Sequence, residues 1–172
     1  DRIFEEAIEL RPNWSLPIYN KAAQRYKQYL YSDFSSPEQI ESTLREVTRK
    51  DNSLYGAYVM LGNVELALEK PKLAINNFLE AVDSVNRIGS ISKEIKSRIQ
   101  TNLGQAYLKT EDFDLAETTL KEAITADPQN AEAKLALAHA YVLLEESDRA
   151  LDSIDELYIS NLTEKLHTKF GS

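Results

Sequence analysis

Residues 102–130, which read NLGQAYLKTEDFDLAETTLKEAITADPQN, predict two amphipathic helices joined by a short polar turn. In the first helix, Leu103, Gly104 and Tyr107 fall on one face. The second helix has an apolar stripe of the same period, formed by Ala116, Leu120, Ala123 and Ile124. The dipeptide at 127–128 is Asp-Pro, which is typical of a helix end. The stretch therefore predicts a helical hairpin.

This order of residues, L-G-x2-Y followed by A-x3-large and then P, resembles the tetratricopeptide repeat. Gln100 occupies the place of the tryptophan that often opens that pattern. The resemblance implies an all-α fold, an α-solenoid of antiparallel helix pairs stacked as a right-handed superhelix. Pairs stack because one pair alone cannot bury its apolar face.

The same pattern recurs in several registers and predicts a single repeat domain over residues 1–172. The units are a half repeat at 1–14 (second helix only), a repeat with a longer turn at 15–54, a repeat plus insertion at 55–96, repeats at 97–130 and 131–164, and a C-terminal cap or tail at 165–172. The longer turn adds about six residues between Ala22 and Ile40, as an extra helical turn or as loop. The helix near Phe4 is expected to leave an apolar face without an intramolecular partner.

Local signals predict several helix ends. Ser36 is a candidate N-cap whose capping box would be completed by Gln39. Gly89 is expected to end one helix, and Ser90 or Ser92 to cap a long helix that runs from about Ile91 to Lys109. Gly104 is expected to lie where two helices cross closely, with alanine tolerated there and leucine not.

Composition excludes several classes of function. The formal net charge is −8, which disfavours nucleic acid and anionic membranes as partners. No apolar run is long enough to insert into a membrane. Cysteine is absent, and the two histidines form no metal or nucleophile motif. We therefore predict that the chain is not an enzyme and needs no cofactor or metal.

The resemblance also implies where a partner would bind. In this family the first helices of the pairs line a concave groove, through positions two and three before, and one and four after, the small packing residue. Thr101 and Leu135 are two of these positions. The predicted peptide-binding residues are Tyr19, Asn20, Tyr26, Asn63, Asn102, Gln105 and His139. The amides suit a peptide backbone, and the rings suit apolar side chains.

Taken together, the sequence predicts a scaffold that binds a protein or peptide segment in a concave groove. A basic or neutral partner is favoured because the chain is acidic. One alternative is a regulatory or substrate-recruiting domain of a larger enzyme whose catalytic part lies outside this segment. Self-association through the exposed terminal helices is a further alternative.

Overall fold

The computed structural model describes residues 2–12, 14–31 and 36–155. All regular structure within these ranges is α-helical. The helices are α1 Arg2–Leu10, α2 Ser15–Tyr31, α3 Pro37–Lys50, α4 Tyr55–Ala67, α5 Pro71–Ile88, α6 Lys93–Lys109, α7 Phe113–Ala126 and α8 Ala131–Leu143, followed by helical residues 147–155, here called α9. The cap or tail predicted at 165–172 lies outside the described residues, and the predicted repeat boundaries remain a prediction.

The chain divides into two compact units, which meet in sequence at Ser90 and Ile91. In the first unit, each helix from α1 to α4 packs on the next one along the chain. In the second unit, α6 packs on α7, and α8 packs on both. Each unit is thus a stack of antiparallel helix pairs, which confirms the predicted fold class within the unit.

One cluster of buried residues in the first unit is aliphatic. It consists of Ile18, Ala22, Ile40, Leu44, Val47, Ala57, Leu61 and Val64. Ile8 of α1 packs against this core, but no residue of α1 is itself buried. Ile3 and Leu10 are about four-fifths exposed. The expected apolar surface on the N-terminal helix is therefore present.

Two glycines allow close helix crossings. A Cβ built on Gly104 would lie 2.5 Å from Cγ of Leu120, and one built on Gly62 would lie 2.6 Å from the ring of Phe78. Both contacts are far inside normal van der Waals separation. The predicted crossing at Gly104 is confirmed. The expected tolerance of alanine there is not supported, because the methyl group would contact the branch point of a fully buried leucine.

The predicted helix ends are mostly confirmed. Gly89 ends α5 in the left-handed conformation, with φ of +74°. The Ser92 hydroxyl accepts a hydrogen bond from the Ile95 amide at 3.4 Å, so α6 begins at Lys93 rather than near Ile91. Ser36 does precede α3, but its hydroxyl donates to the Glu38 carboxylate instead of capping the backbone. The predicted capping box is therefore wrong.

Each described turn within a helix pair from α4 onwards holds a glutamate at the same register. Glu69, Glu111 and Glu145 all adopt a positive φ, between 54° and 63°. Each lies seven residues after the small residue of its first helix. The amide after Glu111 donates to the Tyr107 carbonyl at 3.0 Å, and the other two turns have the same bond. These are Schellman-type ends occupied by a residue with a Cβ.

The unit at 15–54 has a longer first helix. α2 continues nine residues past Ala22, whereas α6 continues five past Gly104. Part of the predicted six-residue addition is therefore an extra helical turn. Residues 32–35, which complete it, lie outside the described part.

Candidate protein-binding faces

An exposed apolar stripe runs along α8. Leu135 is 54% exposed and Val142 is 59% exposed, with the exposed His139 between them. These residues are four and then three positions apart, so they lie on one face of the helix. The opposite face is buried through Ala133, Leu137 and Tyr141 among others. The stripe is therefore a surface that the unit itself leaves open.

A polar pair lies beside this stripe. The Gln105 amide of α6 donates to the Glu132 carboxylate of α8 at 3.0 Å, and both side chains are solvent-accessible. This bond joins two successive first helices, as the sequence predicts for residues that line one surface. Asn102, one turn before Gln105 on α6, is partly buried. The structure therefore brings Gln105 next to the helix that carries His139.

The predicted surface positions do not all face outward. Thr101 stands at the same offset as Leu135 but is fully buried. Its hydroxyl donates to the Ser97 carbonyl at 2.8 Å and accepts from the Asn130 amide at 3.0 Å. Asn130 also caps α8 by accepting from the Ala133 amide at 3.0 Å. Thr101 therefore contacts the α7–α8 turn through Asn130. The prediction that Thr101 lines the surface was wrong.

In the first unit, Tyr26 of α2 and Asn63 of α4 are brought together by a side-chain hydrogen bond. Burial raises the pKa of the Tyr26 phenol, and the Asn63 bond opposes that rise. Two predicted binding residues on successive first helices are therefore neighbours here too. Both side chains are partly buried, so they remain accessible at the surface.

Tyr19 and Asn20 lie two turns earlier on α2. Tyr19 packs against the core of the first unit, and burial raises the pKa of its phenol. A Cβ on Gly56 would lie 2.7 Å from the Tyr19 hydroxyl, so this ring rests on the start of α4. Asn20 is partly buried. The candidate residues therefore form one group on α2 and α4 and another on α6 and α8.

Sequence reasoning missed a buried ionic cluster in the first unit. Glu65 stands where the repeat pattern has tyrosine and is completely buried. It accepts from Arg45 at 2.6 Å and from the Asn77 amide at 2.7 Å. Arg45 and Lys70 also contact Glu41, at 3.0 and 2.7 Å. Burial raises the pKa of Glu65; Asn77, Arg45 and Lys70 oppose that rise, whereas the Glu41 carboxylate adds to it.

In the last repeat, the position equivalent to Glu65 is occupied by Tyr141. The Arg149 guanidinium lies over the Tyr141 ring, 4.1 Å from its centroid, and donates to the hydroxyl at 3.0 Å. Arg149 also pairs with Glu117 and Glu146. The departure from tyrosine at position 65 was visible in the sequence and could have signalled a polar cluster. The partners of Glu65 come from α3, from α5 and from the turn before α5, and they could not be assigned by pattern alone.

No helix of the described part is long and apolar enough to cross a membrane. Across residues 2–12, 14–31 and 36–155, no group of three or more histidine, aspartate and glutamate side chains is placed to hold a metal ion.

The chain matches known proteins along most of its length. Residues 53–129 match one family model and residues 101–161 match a second, both described as tetratricopeptide repeat. It is similar to a crystal structure of MamA, with a TM-score of 0.79 and 17% identity, over 95% of this chain and 88% of that one. MamA 41-end from Desulfovibrio magneticus RS-1 gives a TM-score of 0.78 at 17% identity, over 94% of this chain and 84% of that chain.

A further similar structure is a crystal structure of the APC/C hetero-tetramer Cut9–Hcn1. Its TM-score is 0.75 at 19% identity, over 90% of this chain and 28% of that one. At these identities the likeness shows the fold, a TPR-like α-solenoid. The repeat supports a general role as a protein-interaction scaffold, and the fold is typical of non-catalytic interaction modules. The chain belongs to the tetratricopeptide repeat family.

Proposed function

We propose that this chain binds a protein or peptide segment on the faces formed by its first helices. The observation that carries the proposal is the exposed stripe of α8, where Leu135 and Val142 are each more than half exposed. Exposed apolar side chains that follow one helix face suit contact with a partner's apolar side chains. In the first unit, the rings of Tyr19 and Tyr26 would supply the corresponding contact area.

Polar groups beside these side chains fit the backbone of a bound segment. The Gln105–Glu132 pair offers an amide and a carboxylate next to the α8 stripe. Tyr26 and Asn63 offer a hydroxyl and an amide that already meet in the first unit. Side-chain amides can both donate to peptide carbonyls and accept from peptide N–H groups. Asn20, Asn102 and His139 complete the proposed set.

The proposed role needs no catalytic residue and no cofactor. The net charge of −8 favours a basic or neutral partner on these faces over nucleic acid. Association of two copies through the same exposed faces would be a special case, in which the partner segment comes from another copy.

The test compares matched pairs of exposed side chains. A peptide is first selected from a random displayed library against the purified chain, and its affinity is measured by calorimetry. Leu135→Ala with Val142→Ala removes 54% and 59% exposed side chains from α8. Leu115→Ala with Leu151→Ala removes 51% and 59% exposed side chains from second helices and is the control.

We expect only the α8 variant to weaken binding. Complete burial is worth about 0.8 kcal/mol per CH₂, and roughly half of each side chain is still available for burial by a partner. The expected loss is about 2 kcal/mol, or roughly thirtyfold in Kd. Equal affinity of the α8 variant and the parent, with loss in the control, would move the binding surface to the second helices. Sedimentation at several concentrations identifies self-association.

A further inference from the structure

A cavity lies between α6 and α7, away from the α8 stripe. Its volume is about 710 Å³, within the range of about 300–1,000 Å³ that is usual for ligand sites. It is lined by Lys93, Lys96, Gln100, Thr118, Lys121, Glu122, Thr125 and Ala126. Three lysines and one glutamate give the lining an excess of positive charge in a chain whose net charge is negative.

Gln100 is the buried member of this lining. Its side chain is 6% exposed, and its amide nitrogen donates to the Glu122 carboxylate at 2.8 Å. Because a carboxylate only accepts, this bond fixes which end of the amide is the nitrogen. The other end, Oε1, is buried and has no hydrogen-bond partner among the described residues. An unsatisfied buried acceptor is unfavourable, so its presence beside a polar cavity points to a donor from a ligand.

The lysines differ in what they already contact. Lys121 pairs with Glu117 at 2.7 Å, and Glu117 also accepts from Tyr141 of α8. Lys93 and Lys96 are exposed, and neither makes an ion pair with the described residues. The cavity thus offers two available ammonium groups at the start of α6 and one unsatisfied acceptor two turns from the first of them.

We propose that this cavity binds an acidic segment of a partner protein. The partner's carboxylates pair with Lys93 and Lys96, and a backbone N–H of the same segment donates to Oε1 of Gln100. Because Oε1 is covered, this hydrogen bond requires the Gln100 amide to turn away from Glu122 when the segment binds. Two unlike requirements, anions for the lysines and a donor for the amide oxygen, are met together by an acidic peptide.

Other ligand classes fit less well. Inorganic phosphate would satisfy the lysines, but its charge would lie near the Glu122 carboxylate, and like charges repel. An apolar ligand would displace water from the ammonium groups of Lys93 and Lys96 without giving them a polar partner. The site is also separate from the proposed α8 surface, because the α8 residue that contacts Glu117 is Tyr141, on the buried face of α8 opposite Leu135 and Val142.

The experiment uses the whole chain, labelled with ¹⁵N, and a capped peptide of six glutamates. A capped peptide of six serines has the same backbone without carboxylates and is the matched probe; inorganic phosphate is the third. The readouts are the Gln100 side-chain NH₂ signal, assigned by its loss in Gln100→Leu, and the Kd from the shift titration.

We expect the glutamate peptide to shift the Gln100 signal and the amides of 93–100 and 118–126, and the serine peptide not to. Lys93→Ala with Lys96→Ala should raise Kd about fivefold or more, and Lys72→Ala, an exposed lysine of α5, should leave it unchanged. Binding should weaken as salt is raised. Gln100→Leu should also raise Kd while its Tm stays equal to the parent's or rises, because the unsatisfied oxygen is gone.

Three results would overturn the proposal. The first is that hexaglutamate at millimolar concentration shifts none of the lining signals. The second is an unchanged Kd in the double lysine variant. The third is that phosphate shifts the same signals as strongly as hexaglutamate, which would make the cavity a phosphate site. None of these results depends on Leu135 or Val142, so failure here is distinguishable from failure of the α8 surface.

Discussion

Gly104→Ala tests the close crossing of α6 and α7 in the second unit. The added Cβ would lie 2.5 Å from Cγ and 2.7 Å from Cδ2 of Leu120, whose side chain is fully buried. Overpacking of this kind costs about 1–3 kcal/mol. Alanine in place of glycine in a helix contributes roughly 0.8–1.0 kcal/mol in the other direction. The net free energy of unfolding should therefore fall by up to about 2 kcal/mol.

A double-mutant cycle isolates the clash from the helix propensity. Leu120→Ala alone should cost about 2–5 kcal/mol, because it leaves a cavity beside α7. In the double variant the new methyl group occupies space that Leu120 vacates. The two changes should then cost about 1–3 kcal/mol less together than the sum of the single variants. Urea unfolding followed by circular dichroism measures all four free energies.

The control cycle replaces Leu120→Ala by Ile99→Ala. Ile99 is also buried on α6, but the atoms nearest to the added Cβ all belong to Leu120. Gly104→Ala and Ile99→Ala should therefore be additive within about 0.5 kcal/mol. Additivity in the Leu120 cycle, or an unchanged midpoint for Gly104→Leu, would refute the assignment of this crossing.

Three further predictions concern the turns and the ionic clusters. Glu111→Gly should raise the free energy of urea unfolding by about 0.5–1 kcal/mol, because glycine adopts the observed positive φ without strain, whereas Glu80→Gly within α5 should lower it by a similar amount. Because burial raises the pKa of Glu65 above its ordinary 4.5, its contribution is present below that pH and is lost as pH rises through the folded value. The stability of the parent relative to Glu65→Gln should therefore decline above pH 4.5, and a pH-independent difference would contradict this. Arg149→Ala should lower the melting temperature, and Arg149→Lys should recover only part of the loss, since lysine keeps the charge but not the planar contact with Tyr141.

The repeat pattern predicted the helices well because their signals are local. Pro71 opens α5 and Gly89 ends it, and Gly104 lies on α6. Each of these residues influences the backbone only within one or two helical turns. α2 begins at Ser15, the residue at which the repeat over 15–54 is predicted to begin. Ser36 failed as a side-chain cap because its hydroxyl pairs with Glu38, a neighbour that competes with the backbone.

The repeat register predicted which residues belong to the candidate surface, but it did not predict which of them are exposed to solvent. Leu135, His139 and Val142 are open, whereas Thr101 at an equivalent offset is buried. That difference arises from Asn130, whose amide reaches back from the α7–α8 turn to Thr101. The left-handed backbone of Glu111 and Glu145 could not be foreseen, because glycine is the usual residue there.

The most direct test of the account is a chemical-shift map of the selected peptide on the ¹⁵N-labelled chain. Peptide addition is expected to shift the amide signals of Gln105, Leu135, His139 and Val142, whereas the signals of Leu115 and neighbouring second-helix residues should stay in place. A map confined to the second helices, with the α8 signals unmoved at saturation, would contradict it.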